Sequence, residues 1–471
     1  MSAMYGFLKD QHYIWDSGLS GHVVYAPKGK NLRNKLEEYL RYVLRQQLFD
    51  EIESPLIYKK EVWQKSGHWE RFQDPIVWTQ NKKCFRLDKL LEEIFNVKFE
   101  KLSWEEVTGL LIQINTKQFI KDPIIIKTEV EWKSLMMKTM SSHQEVGLRP
   151  ETATATYQNF EDNFYFKSKQ YPIKVFQIGK SFRNEIATRH NLIRGREFTQ
   201  LEAQIILPNE MKKDNLIDVD VTGILNINLN DDMELITLSW DQFKEKCNLD
   251  GTYFQMLFLI YQLFLRLGLK PESLRLRQHM DNEKAFYALD AWDLEINLKE
   301  IGWTEIAGLH DRGQYDLEKV ITGKLKKKGI PHVLEMAIGI DRLFYSILDN
   351  LFEKKDVQEG KSMLTIPYFL APVQISVLPL VKNLPELCVM GKDVYHRIRQ
   401  YFVTEYDDRG GIGKRYLKNA IKGVPYSLTV DHDSLINNDV TVRDRNTEEQ
   451  VRVKIDSLVG YMFQKLAMNF C

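Results

Sequence analysis

The sequence predicts an α+β protein with a large antiparallel sheet, followed by a smaller α/β unit. Three observations carry this. Two strand-like blocks, Ile173 to Glu185 and Arg196 to Pro208, flank a polar, Arg-bearing stretch, which is the pattern of a long antiparallel hairpin. Upstream, Leu32, Leu36, Leu40, Val43, Leu44 and Leu48 recur at helical spacing with charges between them, giving an amphipathic helix over 32–49. Downstream of a charged stretch, Glu353 to Lys361, strand and helix patterns alternate: Ile366–Pro379 as a strand, a helix carrying Tyr395, Ile398 and Phe402, then strands at Tyr426–Val430 and Val440–Val442.

Bulk properties bound the rest. A chain of 471 residues, 44% hydrophobic and 28% charged, is long enough for several domains and is not disordered. Its 65 basic and 65 acidic residues cancel, so a nucleic-acid partner has to be sought in a local patch. The four cysteines, Cys84, Cys247, Cys388 and Cys471, form no Cys-x-x-Cys pair, which argues for a reducing compartment. The longest apolar run, Phe254 to Leu265, is interrupted by Gln255 and Gln262 and falls short of the roughly 20 apolar residues of a bilayer span. It reads as a buried helix closed by Gly268. Met1 to Ser20 mixes charges through its apolar residues and reads as no secretory signal, so a cytoplasmic location with no membrane is expected.

The usual phosphate loops are missing. Gly179-Lys180-Ser181 imitates the end of a P-loop, but the position five before Gly179 is Lys174, and Gly410 to Lys414 also fails the spacing. The hairpin offers another route. A period of two puts Phe198, Gln200, Glu202 and Gln204 on one face and Thr199, Leu201, Ala203 and Ile205 on the other. Ser181, Arg183 and Glu185 share a face of the first strand. A solvated surface with cross-strand ion pairs would explain this much. The polar set recurs, however, in other apolar neighbourhoods: Arg149 and Glu151 before Thr152, Glu305 within Gly302–Gly308, and Glu335 within Val333–Ile338. Carboxylates in apolar strands are costly unless paired or functional. Gly339-Ile340-Asp341-Arg342 then opens a helix, so Arg342 stands on a first turn that favours anions, unless it pairs with Asp341 or Asp349. Two arginines, one aromatic and a carboxylate able to hold Mg²⁺ suit a triphosphate without a Gly-rich loop.

These residues, taken in order, resemble the class II aminoacyl-tRNA synthetases, and within them the dimeric glycyl-tRNA synthetases. The resemblance runs through Ser66-Gly67-His68 with Phe72-Gln73-Asp74-Pro75, Leu148 to Ala153, Ile178 to Ile186 with Arg196-Glu197-Phe198-Thr199, and Leu276 to Met280 with Tyr287-Ala288. It continues through Asp290 to Asp293, Gly302 to Arg312, Gly339 to Arg342 and, beyond the charged stretch, Leu370 to Val373, Gly411 to Tyr416 and Asp439 to Arg452. It implies a catalytic domain over 1–352, with a small helical insertion at about 85–131 and a second at about 208–250, a linker over 353–365, and an anticodon-binding domain over 366–471.

The same resemblance implies roles. ATP would be held by Arg183, Asn184, Glu185, Arg194, Phe198, Glu305, Ile306, Gly339 and Arg342. Of these, Arg183 and Arg342 would be catalytic, Phe198 and Arg342 would sandwich the adenine, and Glu305 would help hold Mg²⁺. Glu151, Phe198, Glu202, Glu335 and Ala337 would surround the amino acid. Glu51 to Pro55 is similar to the family's dimer-interface segment, implying a C2 homodimer. Departures from the family pattern collect around the amino acid: Met336-Ala337 where it has Pro-Ser, Thr154-Ala155 for Gln-Gly, Gln204 for a glutamate, His310 for an alanine and Gly313 for a serine. No metal beyond Mg²⁺ is expected, since only Cys84 remains of a zinc knuckle. Between Arg409 and Lys422 stand five basic residues and no acid, with Tyr416 as a stacking face. Lys414, Arg415 and Tyr416 are therefore expected to meet the tRNA. A non-catalytic nucleic-acid-binding subunit and an adenylating paralogue of altered amino-acid specificity are the competing readings.

Overall fold

The computed structural model describes residues 3–79, 84–97, 99, 102–117, 130–186, 188, 192–229, 235–280, 283–284, 288–356 and 361–466. Its centre is a nine-stranded sheet. In chain order its strands are β1 (Asp50–Glu51), β2 (Ile173–Phe182), β3 (Glu197–Leu207), β4 (Ile224–Asn228), β5 (Ile236–Ser239), β6 (Leu274–Gln278), β7 (Asp290–Leu298), β8 (Gly302–Gly313) and β9 (His332–Gly339), arranged β5-β4-β6-β7-β8-β9-β3-β2-β1. Six successive strands, β6 to β2 in that order, pair antiparallel; β1 on β2 and β4 on β6 are the parallel joins. The expected hairpin is there, with Ile173 opposite Ile206 and Phe182 opposite Glu197. Arg183 and Glu185 lie beyond its end, in a turn closed by Glu185 N–H donating to the Arg183 carbonyl at 2.7 Å.

One face of the sheet is dry. Leu201, Ala203 and Ile205 are fully buried, and against them pack α1 (Pro27–Gln46), α2 (Gly251–Arg266) and α3 (Ile340–Leu351) in one continuous core. The proline at the first turn of α1 starts that helix earlier than the apolar spacing predicted, and Leu48 falls outside it, 75% exposed. Helix α2 spans the apolar run and ends at Gly268, whose φ of +90° a side chain would resist. A second close approach is on β2: a Cβ on Gly179 would lie 2.1 Å from Nη2 of Arg149, a buried residue whose guanidinium donates to the Lys180 carbonyl at 2.7 Å and to the Ser54 carbonyl at 2.9 Å.

Helices Leu87–Phe95 and Trp104–Lys117 share a small core of Val77, Leu87, Leu90, Leu91, Val107, Leu111 and Ile114, separate from the main one; 118–129 lie outside the described residues. The segment 208–250 supplies β4 and β5 and so widens the main sheet.

The C-terminal unit has its own core and a five-stranded sheet of β10 (Ile375–Pro379), β11 (Thr404–Tyr406), β12 (Tyr426–Val430), β13 (Asp439–Asp444) and β14 (Gln450–Lys454), in the order β11-β10-β12-β13-β14. Its longer helices are α4 (Pro385–Ile398), α5 (Ile412–Lys422) and α6 (Ile455–Leu466). Two expectations change. Strand β10 begins only at Ile375, since Pro367 and Pro372 lack the N–H a ladder needs and a short 3₁₀ turn, Tyr368–Leu370, intervenes. The charged stretch after Leu351 is no plain linker: Phe352–Asp356 pairs antiparallel with Lys361–Leu364 as a two-stranded ribbon. Among the described residues no helix is long and apolar enough to cross a membrane.

Candidate active site

The wet face of the sheet carries the site. Register places Glu202 beside Ala337 and Ala337 beside Gly308, and in the next row Gln204 beside Glu335 and Glu335 beside His310. Gln200, Glu202, Gln204 and Glu335 are all buried, so this face is the floor of a closed cleft rather than a solvated sheet surface. Its carboxylates must find partners or be functional.

Two of them do find partners. Glu335 accepts from Arg312 Nη1 at 3.0 Å and the Tyr157 hydroxyl at 3.0 Å. Burial works against its ionisation, yet Arg312 and His310 hold its pKa down to about 2. Glu151 accepts from the Thr154 hydroxyl at 2.7 Å and lies 3.5 Å from His68 Nε2; His68 and Arg312 outweigh its burial and keep it well below the usual carboxylate range. Glu202 differs. It accepts from the Thr152 N–H at 2.8 Å and hydroxyl at 2.6 Å but has no cation against it among the described residues. Burial, then the charges of Glu335 and Glu151, push its pKa up to about 8. The pocket therefore holds a carboxylate that a bound ammonium would satisfy.

The other half of the cleft is cationic and aromatic. The Arg183 guanidinium is 5.4 Å from the centre of the Phe72 ring and 5.3 Å from that of Phe198, and its Nε donates to the Pro150 carbonyl at 3.1 Å. Arg342, on the first turn of α3, donates through Nε to the Ile193 carbonyl at 3.0 Å and through Nη1 to the Glu305 carbonyl at 2.9 Å. Its ion-pair partner is the Glu305 carboxylate at 3.1 Å, whose pKa Arg342 lowers, rather than Asp341 or Asp349. Asp341 instead turns into the protein, accepting from the Thr199 N–H at 2.6 Å and from the Tyr25 hydroxyl, while Asp349 accepts from the Lys299 N–H at 3.0 Å. The buried Glu185 has one carboxylate oxygen, Oε2, with no hydrogen bond among the described residues, as an acceptor awaiting a donor would. Burial lowers the pKa of Arg194, with Glu185 opposing.

A single cleft is lined by Glu151, Arg183, Glu185, Arg194, Phe198 and Glu202, and across from them by Glu305, Ile306, Glu335, Ala337, Gly339 and Arg342. Of the residues expected here, Asn184 is the one not brought to the lining; its side-chain amide donates to the Ser134 carbonyl at 3.4 Å and its N–H to the Leu135 carbonyl at 2.8 Å. A divalent ion on ATP phosphates keeps most of its water and takes one or two carboxylates. Glu305, half exposed at the Arg342 end, fits that need as a hard oxygen donor. Sequence reasoning gave no role to Arg312, His68, Tyr157 or Phe72. Arg312 was findable, for it shares strand parity with Gly308 and His310.

In the C-terminal unit three of the five basic side chains of the cluster are engaged within the fold. Arg415 is buried and donates to the carbonyls of Pro379 at 2.7 Å, Asp407 at 2.9 Å and Leu380 at 2.9 Å, so it fastens α5 to β10 and cannot meet RNA. Lys418 pairs with Asp407 at 2.7 Å and Lys422 with Glu405 at 2.7 Å. Tyr416 donates or accepts a 2.6 Å hydrogen bond with the Thr429 hydroxyl, and Arg443 lies 4.7 Å from its ring centre. Arg409 and Lys414 remain exposed.

Comparison with known proteins agrees with this division. Residues 137–222 match the tRNA synthetase class II core domain (G, H, P, S and T), and residues 374–465 match the anticodon binding domain. Curated relatives include the glycine–tRNA ligase of Pyrococcus abyssi, 31% identical with 96% of this chain and 97% of the relative covered, and that of Methanocaldococcus jannaschii, 31% identical with 97% of each covered. Among solved structures, the RNA binding domain of threonyl-tRNA synthetase from Cryptosporidium parvum Iowa II superposes with a TM-score of 0.62 at 18% identity, covering 98% of each chain. Prolyl-tRNA synthetase from Cryptosporidium parvum, complexed with L-proline and AMP, gives 0.57 at 14% identity, covering 98% of this chain and 74% of that one. These last two are likenesses of fold. With a full-length match at this identity and a class II core whose polar strands line one cleft, the chain belongs to the glycine–tRNA ligase family of the class II tRNA synthetases.

Proposed function

We infer that the protein is a glycine–tRNA ligase, which activates glycine with ATP and passes it to the 3′ end of tRNA(Gly). One observation carries the reading: a buried carboxylate with no ion-pair partner among the described residues, Glu202, shares a cleft with Arg183, Phe198 and Arg342. Glycine's ammonium rests against Glu202, within reach of Glu151 and Glu335, and its carboxylate points toward Arg183. ATP lies over Phe198 with Arg342 on the ring's other side, and the free oxygen of Glu185 accepts from the adenine amino group. A carboxylate oxygen of glycine attacks the α-phosphorus, the bond from that phosphorus to the bridging oxygen breaks, and pyrophosphate leaves. Arg183 stabilises the charge that develops at the α-phosphate; no side chain need take a proton. Magnesium, held at Glu305, would neutralise charge on the departing phosphates. A tRNA 3′-terminal hydroxyl then attacks the acyl carbon, its proton passes to the departing phosphate, and AMP leaves.

The unit over 1–352 performs both steps and the unit over 366–471 reads the tRNA, with Arg409, Lys414 and Tyr416 at its RNA-facing end. A C2 homodimer is supported at the edge strand β1, where Glu51 to Pro55 lie beside exposed Leu48, Leu56 and Phe166. The location is cytoplasmic. Convergence of Arg183, Phe198 and Arg342 in one cleft favours a working enzyme over a non-catalytic subunit. The test is ATP–pyrophosphate exchange over a panel of amino acids, with charging of tRNA(Gly). Exchange with glycine well above alanine and serine is expected; equal rates would overturn the glycine assignment, and no exchange with any amino acid would overturn the enzyme.

A further inference from the structure

The floor of the amino-acid pocket is unusually bare along one row. Beside Glu202 come Ala337, with a single methyl, and Gly308, with none. A substrate whose ammonium sits on Glu202 would place its α-carbon above these two, and any side chain would project over the same space. That space is not left open. The His310 imidazole leans back across Gly308: its Cε1 lies 2.9 Å and its Nε2 3.5 Å from where a Cβ on Gly308 would be.

The ring is backed on one side. Its Nδ1 faces Glu335 Oε1 at 3.4 Å. Glu335 is itself clamped by Arg312 at 3.0 Å and Tyr157 at 3.0 Å, and Arg312 is gripped by Asp316 at 2.7 Å and 3.1 Å. A clamped carboxylate thus stands behind the imidazole, and the Cε1–Nε2 edge forms a wall over the bare row.

We propose that His310 is a specificity-determining residue, the steric wall that restricts this pocket to an amino acid with no side chain. The inference rests on the glycine reading above and deepens it. A rigid wall discriminates against an added methyl by clash, which a merely roomy apolar pocket cannot do.

The test is pyrophosphate exchange by the full-length protein with glycine, alanine and serine, comparing wild type, His310→Ala and His310→Gln, each checked by thermal unfolding. For His310→Ala the ratio of kcat/KM for alanine to that for glycine is expected to rise roughly 10- to 100-fold, carried by a lower KM for alanine. His310→Gln, which keeps most of the bulk, is expected to stay within about threefold of wild type. A folded His310→Ala protein whose ratio moves less than about threefold overturns the proposal, as does one that loses exchange with all three amino acids. Should His310→Ala fail to fold, His310→Asn supplies the same ratio against the same threshold. A wild type showing no preference for glycine would refute the glycine reading itself, whereas an unchanged ratio in a glycine-selective enzyme refutes only the wall.

Discussion

Replacing Glu202 with glutamine keeps the shape of the side chain and an oxygen to accept from Thr152, but removes a charge that has no ion-pair partner among the described residues. Burial and the neighbouring Glu335 and Glu151 raise this carboxyl from its ordinary 4.5 to about 8. At 1.36 kcal/mol per pKa unit that gap costs the native state on the order of 5 kcal/mol once the group is ionised. The sign follows directly: below pH 4.5 the carboxyl is protonated in both folded and unfolded chains and costs nothing, the cost grows as pH rises, and it levels off above about 8. Glu202→Gln should therefore nearly match wild type in thermal stability near pH 4.5, exceed it by about 3 kcal/mol at pH 7, and by about 5 kcal/mol at pH 9. Function should move the opposite way. An ammonium on Glu202 requires the ionised form, so the KM for glycine in pyrophosphate exchange should rise about tenfold for each pH unit below 8. The variant should lose roughly 10- to 100-fold in kcat/KM. A glycine KM flat from pH 6 to 9, together with a stability difference that does not change with pH, would refute the account of Glu202 as the ammonium seat.

Further outcomes are expected. Arg183→Ala should lower exchange by roughly 100- to 1,000-fold while lowering the melting temperature only slightly, because this guanidinium serves the charge developing on the α-phosphate and gives the fold one hydrogen bond, to the Pro150 carbonyl, and its contacts with two rings. Arg415→Met leaves three buried carbonyls without a donor and should destabilise the C-terminal unit by about 3 kcal/mol or more, seen as early unfolding of that unit. Lys414→Ala should instead raise the KM for tRNA in charging, with exchange and melting unaffected. Gly179→Ala drives a methyl to 2.1 Å from Arg149 Nη2 and should cost about 1–3 kcal/mol in denaturant unfolding.

How much of this could be read from the chain varied with the length of the pattern. Ten residues of alternation on each side made the β2–β3 hairpin legible, and with it the face bearing Gln200, Glu202 and Gln204. Short segments carried too little signal: β4 and β5, of five and four residues, join the main sheet without any strong alternation. The charged ribbon after Leu351 was misleading because two strands that pair only with each other tolerate Lys and Glu, and an exposed edge favours them. The basic cluster misled for a different reason. Its acids, Glu405 on β11 and Asp407 just past it, sit a few residues before the first arginine and pair with Lys422 and Lys418 of helix α5, so a count along the chain missed what folding brings together. Equally, alternation reports which side of a strand a residue occupies but not what lies across the sheet. That is why Glu335 could be flagged as costly while Arg312, its counter-charge one strand away, went without a role.

The turn of Asp341 away from its neighbour Arg342 has a consequence for the N-terminal segment. Because Asp341 takes the Thr199 N–H on one side and the Tyr25 hydroxyl on the other, the helix that carries Arg342 is keyed to a residue near the start of the chain. Arg33 tightens the same joint, donating to the Thr199 hydroxyl at 2.5 Å while its guanidinium lies 4.9 Å from the Tyr25 ring centre. The opening stretch is thus a wedge that sets the angle of the nucleotide clamp. Trimming it would loosen the grip on ATP without touching a single residue of the cleft.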